Sequence, residues 1–118
     1  KIYELSEMPI NDYTDDGQML GHIVIGSEMI TLEAAKIPGF SHEMASMLKH
    51  SIIAHHGEYE YGSPKLPCTA EAILLHYADN MDAKLKTFEE TLDVDKTPGA
   101  WTGYNRMLNR YLRRSDFN

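Results

Sequence analysis

Only one cysteine, Cys68, occurs in this sequence. No disulfide can form within the chain, and nothing argues for an oxidising compartment. No apolar run approaches the roughly 18 residues of a membrane-spanning helix. No cleavable leader pattern is visible, and there is no internal repeat or low-complexity tract. Positive charge is also scarce: 11 Lys and Arg stand against 18 Asp and Glu, for a net charge of −7. Taken as a whole, such a surface repels nucleic acid and anionic membrane. A bound divalent cation can still reverse the field locally. The default reading is a soluble cytoplasmic protein without a membrane partner.

What is present is ordinary for a folded domain. The chain has 118 residues, 42% of them hydrophobic and 25% charged, which excludes disorder of the whole chain and fits one domain with one modest core. The first stretch, to about Gly17, contains Pro9 and the turn-like "NDYTDDG" and reads as a loop or short extended piece. "GQMLGHIVIGSEMITLEAAK" carries apolar residues at roughly helical spacing, weakened by Gly21 and Gly26 and ended by "IPGF". "SHEMASMLKHSIIAHH" opens with Ser41 as N-cap and should run as a helix to Gly57, with His55 and His56 in its last turn. A long loop, "GEYEYGSPKLP", follows; loops of that length are often functional. "TAEAILLHYADNMDAKLKTFEETL" is the strongest helix, capped by Thr69, with an apolar stripe through Ala72, Ile73, Leu75, Ala78, Met81, Ala83 and Leu85. After "DVDKTPG", the arginine-rich end is expected to be a turn and a short helix. The pattern is all-α, with three long helices.

Three stretches hold groups that metals prefer. His55 and His56 are adjacent. Neighbouring helical residues point about 100° apart, so such a pair suits two neighbouring ions, or one ion and a phosphate, and equally suits one buried and one exposed structural histidine. In "HYADNMD", Asp79 lies between Ala78 and Met81 on the face that looks buried, where a carboxylate is costly unless paired or ligated. His22 sits among apolar residues and glycines, a setting more common for a satisfied core histidine. Taken together, three helices each bring His or Asp to an apolar face. Mixed imidazole and carboxylate ligation suits Zn, Mn, Fe, Co or Ni, and helical proteins build such sites between facing helices.

The order "GHIVIG", "IIAHHGEYEYGSPKLP", "LLHYADNMDAK" resembles the HD-domain metal-dependent phosphohydrolase superfamily, and within it the HD domain of YhaM-type 3'-5' exoribonucleases. The resemblance runs from "KIYEL" to "YNRMLNRYL". It implies a divalent-metal site in which His22, His55, His56 and Asp79 are ligands, with Mn as the expected ion and Co, Fe, Ni or Zn as alternatives. It implies phosphodiester hydrolysis, with single-stranded RNA or a nucleotide phosphodiester as substrate. Lys1, Tyr59, Tyr61 and Lys65 are the residues placed to touch it. No separate catalytic acid or base is assigned. The family's name-giving His-Asp dyad is missing: no "HD" dipeptide occurs. In the family the dyad lies just before a "GK" that leads into text like "IYELS", and Lys1 matches that lysine. Residues 1–118 are therefore expected to be the C-terminal part of a single HD domain, an incomplete helical bundle that binds metal weakly and is inactive alone. An OB-fold domain upstream and a homo-oligomer are further implications. The competing classes are an HD phosphohydrolase acting on nucleotides and a non-catalytic helical binding or oligomerisation module.

Overall fold

A computed structural model describes residues 2–115. It is mostly helical, with α1 (Asp15–Ala35), α2 (His42–Ala54), a single 3-10 turn (Tyr59–Tyr61), α3 (Ala70–Val94) and a hairpin of β1 (Trp101–Asn105) and β2 (Arg110–Arg113). It divides into two units, one reaching to His76 and one starting at Tyr77.

In the first unit the segment before α1 is pinned rather than loose. Leu5 bridges Tyr13, and the Thr14 N–H donates to the Glu4 carbonyl at 3.0 Å. Gly17 permits this crossing, because a Cβ there would collide with the Glu4 carbonyl. The expected turn at "TDDG" is instead a helix start: Thr14 is the N-cap and accepts from the Gly17 N–H. Asp15 and Asp16 then occupy the first turn, where the helix dipole favours negative charge. α1 breaks at Gly21, whose φ of 73° and ψ of 163° are accessible essentially to glycine alone.

α2 begins as the sequence indicates, with the Ser41 hydroxyl accepting from the Met44 N–H. It stops earlier than expected, at Ala54, with His55 as C-cap and His56 in the turn beyond. The cause is Gly57, which takes φ of 83° and turns the chain sharply into the following loop. α1 packs on α2, and Gly26 faces the Ile52 side chain so closely that a Cβ would crowd it. Ile25, Ala54 and Ala72 are the buried apolar residues of this unit. Thr69 caps α3 as predicted, its hydroxyl accepting from the Ala72 N–H. Beyond Ala72 the apolar stripe of α3 is exposed, however: Leu85 is 57% and Met81 62% exposed.

The second unit corrects the all-α expectation. The stretch after Gly99 is an antiparallel hairpin, not a helix. Its organiser is Asp95, just past the end of α3. The Asp95 carboxylate accepts from the N–H groups of Gly103 and Thr97, each at 2.9 Å, and from Arg114 at 2.6 Å. Arg114 also donates to the carbonyls of Gly99 and Trp101. One short acidic side chain thus ties both strands to the helix end, and no local propensity in the arginine-rich text reports it. The Gly103 N–H, above all, holds the Asp95 carboxyl below its ordinary value.

A carboxyl depressed in the fold contributes stability above its ordinary value and loses it as pH falls. The hairpin should therefore loosen on acidification below the usual aspartate range. In Asp95→Asn it should be loosened already at neutral pH and show little further acid dependence. Trp101 is the only tryptophan, so its fluorescence against pH reads the hairpin directly.

Candidate metal centre

The break at Gly21 creates the first element of the site. It frees the His22 N–H from the helix ladder, and Glu4 takes it: Oε1 accepts from that N–H at 3.2 Å. The same oxygen lies 3.1 Å from His22 Nδ1. An ionised carboxylate can only accept, so Nδ1 is the donor and in the neutral ring the lone pair lies on Nε2. Glu4 itself is buried.

The other two imidazoles are oriented the same way by carbonyls. His55 Nδ1 donates to the Ile52 carbonyl at 2.6 Å, and His56 Nδ1 donates to the Tyr61 carbonyl at 2.9 Å. A carbonyl can only accept, so Nδ1 is the donor in both rings, and in a neutral ring the lone pair lies on Nε2. The three rings meet with centroids 4.3 to 5.2 Å apart. One nitrogen from each of the three lies within 4.8 Å of the others. His22 Nε2 and His55 Nε2 are 3.3 Å apart. Such a pair either shares one proton as an N–H···N hydrogen bond or turns both lone pairs toward one cation. Nitrogens about 2.1 Å from one ion and separated by 3.3 Å subtend an angle near that of a tetrahedral site. The donor set therefore fits a transition-metal or zinc-like ion bound through imidazole, with the carboxylate–histidine support that such ligands commonly have.

The floor of the centre is made by His76 and Gly57. His76 Nδ1 donates to the His55 carbonyl at 2.9 Å, and its ring lies where a Gly57 Cβ would be. His76 thus fastens the turn that carries both adjacent histidines. Beside the cluster is a cavity of about 380 Å³ lined by Ile2, His22, Gly26, Met29, Ile30, Ile52, His55 and Leu75.

The other residues singled out in the sequence are placed as follows. Asp79 lies on α3 within the second unit, and its side chain is exposed, as are Ala78 and Met81 beside it. The buried face expected for it is not found. Tyr59 and Tyr61 are exposed on the 3-10 turn. Lys65 is exposed, while its carbonyl accepts from the buried Ser63 hydroxyl, which also donates to Ile53 and so pins the loop. Lys1 lies outside the described residues. His50 accepts from the Cys68 N–H at 3.0 Å, with the exposed Cys68 Sγ 3.3 Å away, and serves to dock the start of α3. Glu4 was not anticipated. The available signal was an acidic residue in otherwise apolar "IYEL", upstream of a histidine flanked by glycine.

Comparison with known proteins agrees with the resemblance noted above. The chain is 43% identical over 102 residues to a protein of Geobacillus sp. (strain WCH70) named 3'-5' exoribonuclease YhaM, a match covering 86% of this chain and 31% of that protein. It is 41% identical over 102 residues to the Bacillus subtilis (strain 168) protein of the same name, covering 86% of this chain and 32% of the relative. A relative of that name in Bacillus velezensis (strain DSM 23117 / BGSC 10A6 / LMG 26770 / FZB42) is 43% identical over 104 residues. The chain is a homologue of these proteins and spans about a third of their length. No family model and no solved structure matches it. No helix among the described residues is long and apolar enough to cross a membrane.

The turn at Gly57 offers a controlled test. Gly39 has a similar positive φ of 76° but open space around it. Gly39→Ala should cost about 1–2 kcal/mol, the left-handed penalty alone. Gly57→Ala should cost at least about 1–3 kcal/mol more, because the His76 ring must move. Urea unfolding of the two variants measures the difference.

Proposed function

We propose that this chain is the metal-binding part of a metal-dependent 3'-5' exoribonuclease, the C-terminal portion of an HD domain. The observation that carries the reading is the convergence of three imidazoles whose Nδ1 atoms are all committed elsewhere. The names of the homologues supply RNA as the substrate and the direction of its degradation; that the RNA is single-stranded is part of this proposal. The exposed stripe of α3 supports the view that more of the domain packs here. The reading also takes in Mn as the resident ion, a cytoplasmic setting, an OB-fold domain elsewhere in the parent protein and homo-oligomerisation.

Bound here, a divalent cation supplies Lewis-acid charge and acidifies water toward neutral pH. The protein's own part is positioning. His22, His55 and His56 present Nε2 as neutral ligands, and Asp79 is assigned as the carboxylate ligand. Glu4 and the carbonyls of Ile52 and Tyr61 keep the protons on Nδ1, so no ring has to flip before it can ligate. The pinned "EYEYGSPKLP" loop offers Lys65 to a phosphate and Tyr59 or Tyr61 to a base. Lys1 is assigned to a substrate phosphate.

Calorimetric titration with MnCl2 tests the assignment. The chain should bind the ion weakly. His22→Ala and His55→Ala should each lower the affinity at least tenfold, and Glu4→Gln should lower it by about 10- to 100-fold, the usual cost of losing a carboxylate behind a ligating histidine. In ¹⁵N spectra recorded without metal, Glu4→Gln should also weaken the preference of His22 for the Nδ1–H form. Unchanged affinity in all three variants would sink the metal assignment and favour a non-catalytic helical module. In a protein of the relatives' full length, Asp79→Ala should remove nearly all shortening of 5'-labelled RNA while leaving the helical circular dichroism intact.

A further inference from the structure

The charge of the chain is unevenly divided. All four arginines lie between Arg106 and Arg114, and from Lys96 to Ser115 there are five cations and no acidic residue, although acids outnumber cations 18 to 11 in the whole. That stretch is the hairpin of the second unit. Thr102 and Leu112 are buried on one of its faces, where the Leu112 N–H donates to the Thr102 hydroxyl. The opposite face carries the aromatic residues. Trp101 pairs with Arg113 and Tyr104 with Tyr111 across the ladder. Tyr111 and Arg113 are two apart on β2, so their side chains share a face, and their partners join them.

Simple alternation would put Trp101 and Tyr104 on opposite faces of β1. A bulge between them brings Tyr104 round, the re-aiming that an extra residue in a strand produces. Gly103 sits in the bulge, its N–H held by Asp95. The result is a row of three rings and one guanidinium facing solvent: Trp101 is 54%, Tyr104 50% and Tyr111 61% exposed. Tyr104 and Tyr111 meet edge to face with centroids 5.3 Å apart, and the Tyr104 hydroxyl is hydrogen-bonded to Asn109, so these rings are held rather than loose. Arg114 is spent on Asp95 and the hairpin base. Arg106 and Arg113 form no ion pair with a described residue.

We propose that this face of the hairpin binds single-stranded RNA, with bases stacking on Trp101, Tyr104 and Tyr111 and phosphates meeting Arg106 and Arg113. Exposed rings offer π-faces that only unpaired bases can reach, and every base has such a face, so the surface grips without reading sequence. The acid-free strip fits a polyanion. The choice of RNA as that polyanion rests on the function proposed above; the site itself does not involve the imidazole cluster.

The test is a titration of the whole chain, in EDTA, with oligouridylate of about ten nucleotides, a length within the span of known single-strand sites. Trp101 emission and the anisotropy of labelled RNA are read together. Expected are saturable quenching, affinity that falls with salt, and about tenfold weaker binding in Tyr104→Ala and Tyr111→Ala. Tyr111→Phe should bind like the parent, because it keeps the ring. Arg113→Ala should weaken binding and reduce the salt slope by about one. Binding without quenching, or unchanged affinity in both alanine variants, would overturn the proposal. So would equal quenching by anionic vesicles or by duplex RNA. Because the chelator removes metal, failure here leaves the metal assignment standing, and failure of the metal titration leaves this result standing.

Discussion

The first unit turns on a single oxygen. Glu4 Oε1 accepts both the backbone N–H and the Nδ1–H of His22, and that double contact requires everything around it. The N-terminal segment must lie against the start of α1, which Gly17 allows. The helix must break just before His22, which Gly21 allows. A carboxylate must be buried, which costs several kcal/mol and is offset by charge-assisted hydrogen bonds of about 1.5–3 kcal/mol each. What the arrangement fixes is the orientation of His22. The helix is interrupted at Gly21, in a conformation open essentially to glycine alone, and the histidine that follows is held at two points by one acid.

The same logic recurs at the second and third histidines with cheaper means. His55 and His56 lie past the end of α2, where the helix has carbonyls to spare. The ring of His55 uses one of them, at Ile52, and the ring of His56 uses one from the 3-10 turn. Adjacent residues in a regular helix diverge. At a helix end followed by a left-handed glycine they need not, and the 4.3 Å between the His55 and His56 rings is the result. The general objection to an adjacent pair gripping one region of space applies to helices and not to this turn.

Much of this was legible. The three helices, the Ser41 and Thr69 caps, and the pairing of His22 with His55 and His56 follow from periodicity, capping residues and motif order. What was hidden depends on contacts distant in sequence. The hairpin is organised by Asp95 through Gly103 and Arg114, eight and nineteen positions on. Arginine and leucine spacing in "NRMLNRYLRR" mimics a helix, and the tertiary hydrogen bonds override it. Glu4 acts eighteen residues away from its own position. Asp79 shows the opposite limit: its neighbours Ala78 and Met81 carry a helical apolar pattern, yet the stripe to which they belong is exposed beyond Ala72. Periodicity records which face of a helix is apolar, not whether anything covers it.

These observations also bear on how a chain with a net charge of −7 is suited to phosphates at all. Acidic residues are spread through the helices and loops before Lys96, and no general attraction to a polyanion follows from them. Two local devices supply what the total charge withholds. On the reading proposed above, the converging imidazoles would recruit positive charge as an ion, at the one place where they meet. The hairpin instead carries its own charge, as guanidinium groups set among aromatic rings. The first confines attraction to one point and the second spreads it along a strip. A sequence-wide balance of charge averages over both, so the sign of the sum says little about what either surface will hold.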